Sequence, residues 1–155
     1  MDILSTGYFL VSRECVRLMN AQNIGGSIVF IGSKNALVAS PGAAAYCAAN
    51  ASELHLARCL ALECAPAGIR VNVVNLDAVL RGSRIWQGEW AEQRASLNRT
   101  TTDKLEVVYR GRSLRKCSVY PEDIAEAAAF LASDRAAKST GNIINDAGNA
   151  ATFTR

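Results

Sequence analysis

Two short apolar runs, joined by a long helical segment, constrain the fold of this chain more than any other feature. The runs are SIVFI at residues 27–31 and IRVNVVN at residues 69–75, and both are rich in β-branched side chains. Neither run alternates cleanly between apolar and polar residues, which is typical of strands that are buried on both faces of a sheet. The segment between them is long enough for a helical crossover, so the two strands are predicted to run parallel.

Helical periodicity and alanine-rich composition predict the elements around these strands. Apolar residues recur at helical spacing over residues 6–21, an alanine-rich helix is predicted over 43–65, and a helix that starts with proline and two carboxylates is predicted over 121–133. A last short strand is predicted over 142–145. The alternation of helices and strands indicates an α/β fold, the C-terminal part of a doubly wound parallel, Rossmann-like sheet with about three strands and flanking helices.

Composition narrows the class of protein further. Half of the 155 residues are hydrophobic and 20% are charged, as in ordinary globular proteins. No apolar run approaches the ~20 residues that span a bilayer, and the first residues do not resemble a secretory signal, so we expect a cytoplasmic protein without membrane association. Five cysteines without a C-x-x-C pair, and a single histidine, predict no metal site.

The positive charge is concentrated in one part of the chain. Residues 81–116 contain nine Lys or Arg against four Asp or Glu, a local net charge of +5. Few aromatic residues are interleaved with the densest basic stretch at 110–116, so nucleic-acid binding is not expected. The alternatives are a solvated face or a lid that faces an anion.

Three polar side chains fall where a parallel α/β sheet places its ligands. Ser33 follows the first predicted strand, and Tyr46 and Asn50 lie four residues apart near the start of the next helix. Residues at this spacing share a helix face. Strand ends and helix starts face the crevice at the carboxyl edge of such a sheet, so the hydroxyl of Ser33 and the phenol of Tyr46 are expected to converge there.

The surrounding segment, GGSIVFIGSKNALVASPGAAAYCAAN, resembles the active-site region of the short-chain dehydrogenase/reductase family. The resemblance continues through AGIRVNVVN and PEDIAEAAAFLASDRAAKSTGNIIN and covers essentially the whole chain. It implies an oxidoreductase that uses NAD or NADP, in which Ser33 orients the substrate oxygen and Tyr46 exchanges a proton with it. It also implies cofactor contacts by Asn50, Asp77 and Val79.

A narrower resemblance concerns LARCLALECAPAGIRVNVVNLDAVL and AKSTGNIINDAGNAATFTR. These stretches look like the dehydrogenase part of bifunctional rhamnulose-phosphate aldolase/alcohol dehydrogenases. That resemblance implies a small alcohol or aldehyde substrate, such as lactaldehyde. Residues 83–116, which include Trp86 and Trp90, are predicted to form a helical excursion that closes over the substrate.

The chain departs from the family's Y-x-x-x-K pattern at Asn50, where family members have lysine. A free phenol has a pKa of about 10, and a nearby cation lowers such a value by roughly 1 to 3 units. Asn50 carries no charge, so we expect a phenolate population that is roughly ten- to a thousand-fold smaller, unless Lys34 or another cation substitutes. The resemblance therefore predicts impaired or absent activity.

The family's glycine-rich phosphate loop has no counterpart in this sequence. Gly25 and Gly26 precede the first strand rather than follow one, so they predict a turn and not a dinucleotide fingerprint. Residues 1–155 are accordingly expected to be a partial domain that lacks the dinucleotide-binding half. The alternative function is a non-catalytic dimerisation fragment or one part of a split enzyme, with self-association through the helices near 6–21 and 43–65.

Overall fold

The computed structural model describes residues 1–145, and its centre is a three-stranded parallel sheet in the order β1-β2-β3. The strands are β1 (Gly26–Ser33), β2 (Ile69–Leu76) and β3 (Ile143–Asn145). The predicted fold class, α/β with about three parallel strands and flanking helices, is confirmed. The part of the domain prediction that concerns residues 146–155 lies outside the described residues.

Residues 1–145 include five α-helices, of which the first, second and fifth pack against the sheet; the first is preceded by a π-helical turn at Asp2–Thr6. The first two helices begin and end within one residue of the bounds predicted from periodicity. The remaining helices follow β2. In chain order they are α1 (Gly7–Gln22), α2 (Ala44–Cys64), α3 (Gly88–Leu97), α4 (Leu105–Arg112) and α5 (Pro121–Ala132).

The sheet is covered on both faces, as its apolar strands require. On one face, α1 and α2 pack against inward-facing side chains of β1 and β2, including Phe30, Val71 and Val73. On the other face, α5 packs Ile124 and Leu131 against side chains that alternate with these along the strands. Burial on both faces explains why the strand sequences are nearly continuous in hydrophobicity.

The helix α5 is anchored at both ends. At its start, the backbone N–H of Tyr120 donates to the carboxylate of Asp123 at 2.8 Å, which satisfies a polar group at the helix terminus. At its end, the guanidinium of Arg70 on β2 donates to the carbonyl oxygens of Leu131 at 2.8 Å and Ser133 at 3.1 Å. A cation at a helix C-terminus also interacts favourably with the helix dipole.

The strand β1 lies at one edge of the sheet within the described part of the chain. A cavity of about 330 Å³ lies between β1 and α1, and it is lined mainly by apolar side chains, among them Tyr8, Val11 and Phe30. Among residues 1–145, none of the helices combines the length and apolar character that crossing a bilayer requires.

Candidate functional site

The carboxyl edge of the sheet brings three of the predicted site residues to one cavity. Parallel pairing sets Ser33 opposite Leu76, so Asp77, the next residue, emerges beside it. Tyr46 lies in the first turn of α2, which starts above the same edge. A cavity of about 320 Å³ is lined by Ser33, Tyr46 and Asp77 together with residues of α3 and α4. The topology therefore produces the convergence of a hydroxyl and a phenol that the sequence pattern indicates.

Ser33 is held in place by the turn that follows β1. Its Oγ accepts a hydrogen bond from the backbone N–H of Asn35 at 3.3 Å, and so caps the short 3₁₀ helix Lys34–Ala36. This bond uses an acceptor site of the hydroxyl and none of its donor capacity. The Ser33 hydroxyl can therefore donate to a substrate oxygen without leaving its position.

Asn50 lies one helical turn beyond Tyr46 and is 3% exposed. Its side-chain amide donates to the backbone carbonyl of Tyr46 at 2.8 Å, a bond within α2 itself. This bond uses one N–H of the amide, and the second N–H and the Oδ1 are left for other partners. The predicted cofactor role of Asn50 stays a prediction.

Lys34, the cation that could replace the missing lysine, lies in the same cavity but has an acidic partner. Its ammonium forms an ion pair with the carboxylate of Asp77, and the two side chains are only 13% and 12% exposed. The ammonium also lies 5.8 Å from the ring centroid of Tyr109. Its charge is thus largely balanced by Asp77 rather than directed at a phenolate.

The crevice continues beyond this cavity. Ser33, Tyr46 and Asp77 also line a neighbouring cavity of about 270 Å³, and Val79 lies in its wall. Val79 follows β2 and packs against the apolar cluster beneath α5. All the predicted site residues except Asn50 therefore border the crevice at the carboxyl edge.

Residues 83–116 fold into short helices that form the outer wall of the 320 Å³ cavity. The small side chains of Ala91 and Ala95 on α3 pack against Leu105 at the start of α4. Three aromatic rings line the cavity from this side, those of Trp86, Trp90 and Tyr109. Trp86 meets Tyr109 edge-on at 4.9 Å, and Trp90 lies 6.4 Å from Tyr46 of α2 between ring centroids. The predicted helical excursion therefore borders the crevice, and its closure over a substrate stays a prediction.

Two arginines in this wall were not singled out from the sequence. Arg94 on α3 and Arg112 on α4 both line the cavity. The sequence signal that points to them is the net charge of +5 over residues 81–116, which is typical of a solvated face or of a lid that faces an anion. Burial raises the pKa of the neighbouring Tyr109, partly offset by Arg112, so Tyr109 is a neutral phenol around these cations at neutral pH.

The described residues could hold only one end of a nicotinamide dinucleotide. Ser33, Tyr46, Asp77 and Val79 border the crevice at the carboxyl edge of the sheet, the position at which such folds bind ligands. Gly25 lies at the opposite edge of the sheet, where the backbone N–H of the next residue donates to the carbonyl of Gly68 at 3.3 Å. Within residues 1–145, no turn with paired glycines follows a strand, so no pyrophosphate cradle is found there.

The fold and the crevice define an α/β protein of the doubly wound, Rossmann-like class. A family model described as enoyl-(acyl carrier protein) reductase matches residues 1–149. The chain belongs to the short-chain dehydrogenase/reductase family. Members of this family generally use NAD or NADP and typically form oligomers.

Individual relatives and a solved structure agree with this membership. Uncharacterized oxidoreductase YuxG of Bacillus subtilis is 53% identical over 156 residues, which are 100% of this chain and 23% of that protein. NAD-dependent glycerol dehydrogenase of Listeria innocua is 33% identical over 96% of this chain and 53% of its own length. The crystal structure of sorbitol-6-phosphate 2-dehydrogenase SrlD from Erwinia amylovora superposes with a TM-score of 0.84 at 32% identity, covering 96% of this chain and 56% of that one.

The chain is shorter than these relatives. It spans about half the length of the glycerol dehydrogenase and of SrlD, and less than a quarter of YuxG. The stretch of this chain that matches these relatives includes the sheet edge with Ser33 and Tyr46.

Proposed function

We propose that this chain carries the substrate-binding and proton-transfer part of an NAD(P)-dependent oxidoreductase that acts on a small alcohol or aldehyde. The observation that supports this most directly is the cavity at the carboxyl edge of the sheet, which Ser33, Tyr46 and Asp77 line together. In this proposal Ser33 and Tyr46 are the catalytic residues, and Asn50, Asp77 and Val79 contact the cofactor.

The residue types suit a reversible alcohol oxidation. Nicotinamide, when bound, accepts or supplies the hydride. The Ser33 hydroxyl, anchored by its bond from Asn35, donates a hydrogen bond to the substrate oxygen. The Tyr46 oxygen takes the hydroxyl proton of an alcohol or returns it to a carbonyl oxygen.

A small substrate, such as lactaldehyde or the related diol, is consistent with the size of the cavity. A volume of about 320 Å³ lies at the small end of the range for ligand sites. The resemblance to bifunctional aldolase/dehydrogenases is supported by the length of YuxG. The same stretch of chain covers 23% of YuxG but 53% of the glycerol dehydrogenase, so YuxG is more than twice as long and has room for a second catalytic unit.

The substitution at Asn50 is expected to make the chain a weak catalyst. A neutral amide bonded to the Tyr46 carbonyl supplies no positive charge to stabilise a phenolate, and Lys34 is engaged by Asp77. The proposal therefore predicts low turnover that a lysine at position 50 would raise.

The test is turnover by the purified chain with small alcohols and aldehydes, followed by the absorbance of reduced nicotinamide, together with calorimetric titration of NADH and NADPH. Asn50→Lys should raise the rate by roughly ten- to a thousand-fold, whereas the neutral control Asn50→Gln should not. Tyr46→Phe in the Asn50→Lys background should abolish turnover. Binding of neither cofactor, or a rate indifferent to Tyr46, would contradict the proposal for this chain.

A second candidate function is self-association, and the exposed apolar surface of the first helix favours it. Seven large apolar side chains in the first 24 residues are 43% to 86% exposed: Met1, Ile3, Phe9, Leu10, Val11, Leu18 and Ile24. The edge strand β1 lies beside several of them. Apolar patches next to an unpaired strand commonly mark sites of association.

Light scattering on the purified chain would test this second function. We expect an oligomer that the double variant Phe9→Lys/Val11→Lys converts to a monomer. Val107→Lys is the matched control, because Val107 is 55% exposed on α4 and lies away from this surface. A monomeric wild-type chain, or equal effects of the two variants, would exclude association through α1.

A further inference from the structure

The 320 Å³ cavity carries more positive charge than its single carboxylate can balance. Among residues 1–145, its lining includes three cations, Lys34, Arg94 and Arg112, and one acidic residue, Asp77. Asp77 is paired with Lys34. The two arginines therefore leave a formal charge of +2 facing a cavity that also contains Ser33 and Tyr46.

The two arginines are positioned by neutral groups rather than by carboxylates. Arg94 donates to the carbonyl of Pro41 at 3.2 Å, and its guanidinium lies 4.2 Å from the ring centroid of Trp90. Arg112 donates to the side-chain oxygen of Asn98 and lies 4.9 Å from the ring centroid of Tyr109. Such contacts orient a guanidinium but do not neutralise its charge.

The burial of Arg94 destabilises the folded protein unless an anion binds beside its guanidinium. Arg94 is only 7% exposed, and its Nε–H is buried with no hydrogen-bond partner among the described residues. A buried donor without a partner destabilises a protein, and a buried charge more so. A bound oxyanion would satisfy both the donor and the charge, since guanidinium groups match carboxylate and phosphate geometry.

We propose that this cavity binds the carboxylate or phosphate group of a small hydroxy compound, with Arg94 and Arg112 as the anion-binding residues. The anion is held on the side of α3 and α4, and the hydroxyl carbon is directed toward Ser33 and Tyr46. The orientation of the hydroxyl rests on the proposed oxidoreductase function, whereas binding of the anion does not. The substrate would then be an anionic hydroxy compound rather than a neutral one such as lactaldehyde or its diol.

Intrinsic fluorescence provides the test, because Trp90 stacks on Arg94 and Trp86 lines the same cavity. The purified chain is titrated at constant ionic strength with two matched pairs, lactate against propane-1,2-diol and glycerol 3-phosphate against glycerol. We expect saturable binding of at least one anion and at least tenfold weaker binding of its neutral counterpart. The pair that discriminates more strongly identifies carboxylate or phosphate as the preferred group.

Two variants test whether the two arginines bind the anion. Arg94→Gln and Arg112→Gln should each weaken anion binding by at least tenfold, and the neutral compounds should be unaffected. Arg135→Gln is the matched control, because Arg135 also stacks on an aromatic ring, that of Phe130, but does not line the cavity. Arg112 is partly exposed on a short helix, so its variant decides the question if Arg94→Gln fails to fold.

Three results would overturn the inference: equal affinity for charged and neutral members of both pairs, full binding by Arg112→Gln, or an equal loss in Arg135→Gln. Failure of the proposed oxidoreductase function would look different. In that case the anions would bind and depend on Arg94 and Arg112, but no hydride transfer would be detected with either cofactor. If neutral diols were turned over without any preference for anions, the oxidoreductase function would stand and the anion-binding inference would be overturned.

Discussion

Lys34 and Asp77 form an ion pair that joins the carboxyl end of β1 to the carboxyl end of β2. Both side chains are largely buried, at 13% and 12% exposed. The pair lies in the wall of the crevice beside Ser33, so it links the two strand ends at the candidate site. It also neutralises the charge of Lys34, so this ammonium adds no net positive charge near Tyr46.

Removing one member of this pair should destabilise the fold. Asp77→Asn leaves the Lys34 ammonium largely buried without its carboxylate, and such losses typically cost about 3 kcal/mol. We expect the midpoint of urea unfolding, followed by tryptophan fluorescence, to fall accordingly. The double variant Lys34→Met/Asp77→Leu should recover most of the loss, since it leaves no uncompensated charge. A double variant as unstable as the single one would show that the charges themselves are not responsible.

Glu53 should make stability depend on pH. It is 2% exposed on α2, and neither of its carboxylate oxygens has a hydrogen-bond partner among the described residues. Burial raises the pKa of Glu53 to about 7. The nearby Tyr8 hydroxyl acts in the opposite direction and lowers this pKa, but it donates its hydrogen bond to the carbonyl of Ile31 at 2.8 Å and not to Glu53.

The sign of this effect follows from proton binding. Between the ordinary glutamate pKa of 4.5 and about 7, the native state holds a proton on Glu53 that the unfolded chain releases. Stability contributed by this group is therefore complete below about pH 4.5 and is lost as pH rises toward 7, by up to about 3 kcal/mol. In Glu53→Gln this component should vanish. If the unfolding free energies of the wild-type chain and of Glu53→Gln changed with pH in the same way, Glu53 would not be the group responsible.

Gly25 and Gly82 offer a matched test of backbone constraint, because both have φ of +72°. At Gly82 an added Cβ would meet nothing within 4 Å, so Gly82→Ala should cost only the strain of a left-handed residue, about 1 kcal/mol. At Gly25 the Cβ would lie 2.7 Å from the carbonyl oxygen of Gly68. Gly25→Ala should therefore lower stability by at least about 2 kcal/mol more, as measured by thermal unfolding. Equal losses would mean that the turn relaxes at no cost.

The apolar cluster beneath α5 should be sensitive to cavity formation. Leu131 is 1% exposed and packs in the cluster with Val74 and Ile124. Leu131→Ala should cost about 3 kcal/mol in unfolding free energy. Leu62→Ala, on α2 at 80% exposure, should change it by no more than about 0.5 kcal/mol. A small loss at Leu131 would indicate that α5 is not tightly docked on the sheet.

Local sequence patterns were sufficient to predict the elements and their arrangement. The apolar runs at 27–31 and 69–75 lie within β1 and β2, and the helices predicted over 6–21 and 43–65 are observed as α1 and α2. These elements depend on side-chain periodicity and on burial of both sheet faces. Both produce patterns of apolar residues that can be recognised directly in the sequence. The expectation that Ser33 and Tyr46 lie at one edge of the sheet followed from the parallel connection, whereas Asp77 was singled out by the family resemblance.

Only the tertiary structure decided which charged side chains lie close to one another. The pairing of Lys34 with Asp77, separated by more than forty residues, requires the register of β1 against β2. The approach of Arg94 and Arg112 to the cavity of Tyr46 requires the packing of α3 and α4 against each other. Electrostatic interactions act over a few ångströms in space whatever the separation along the chain, so the sequence determined the number of charges and the fold determined their partners.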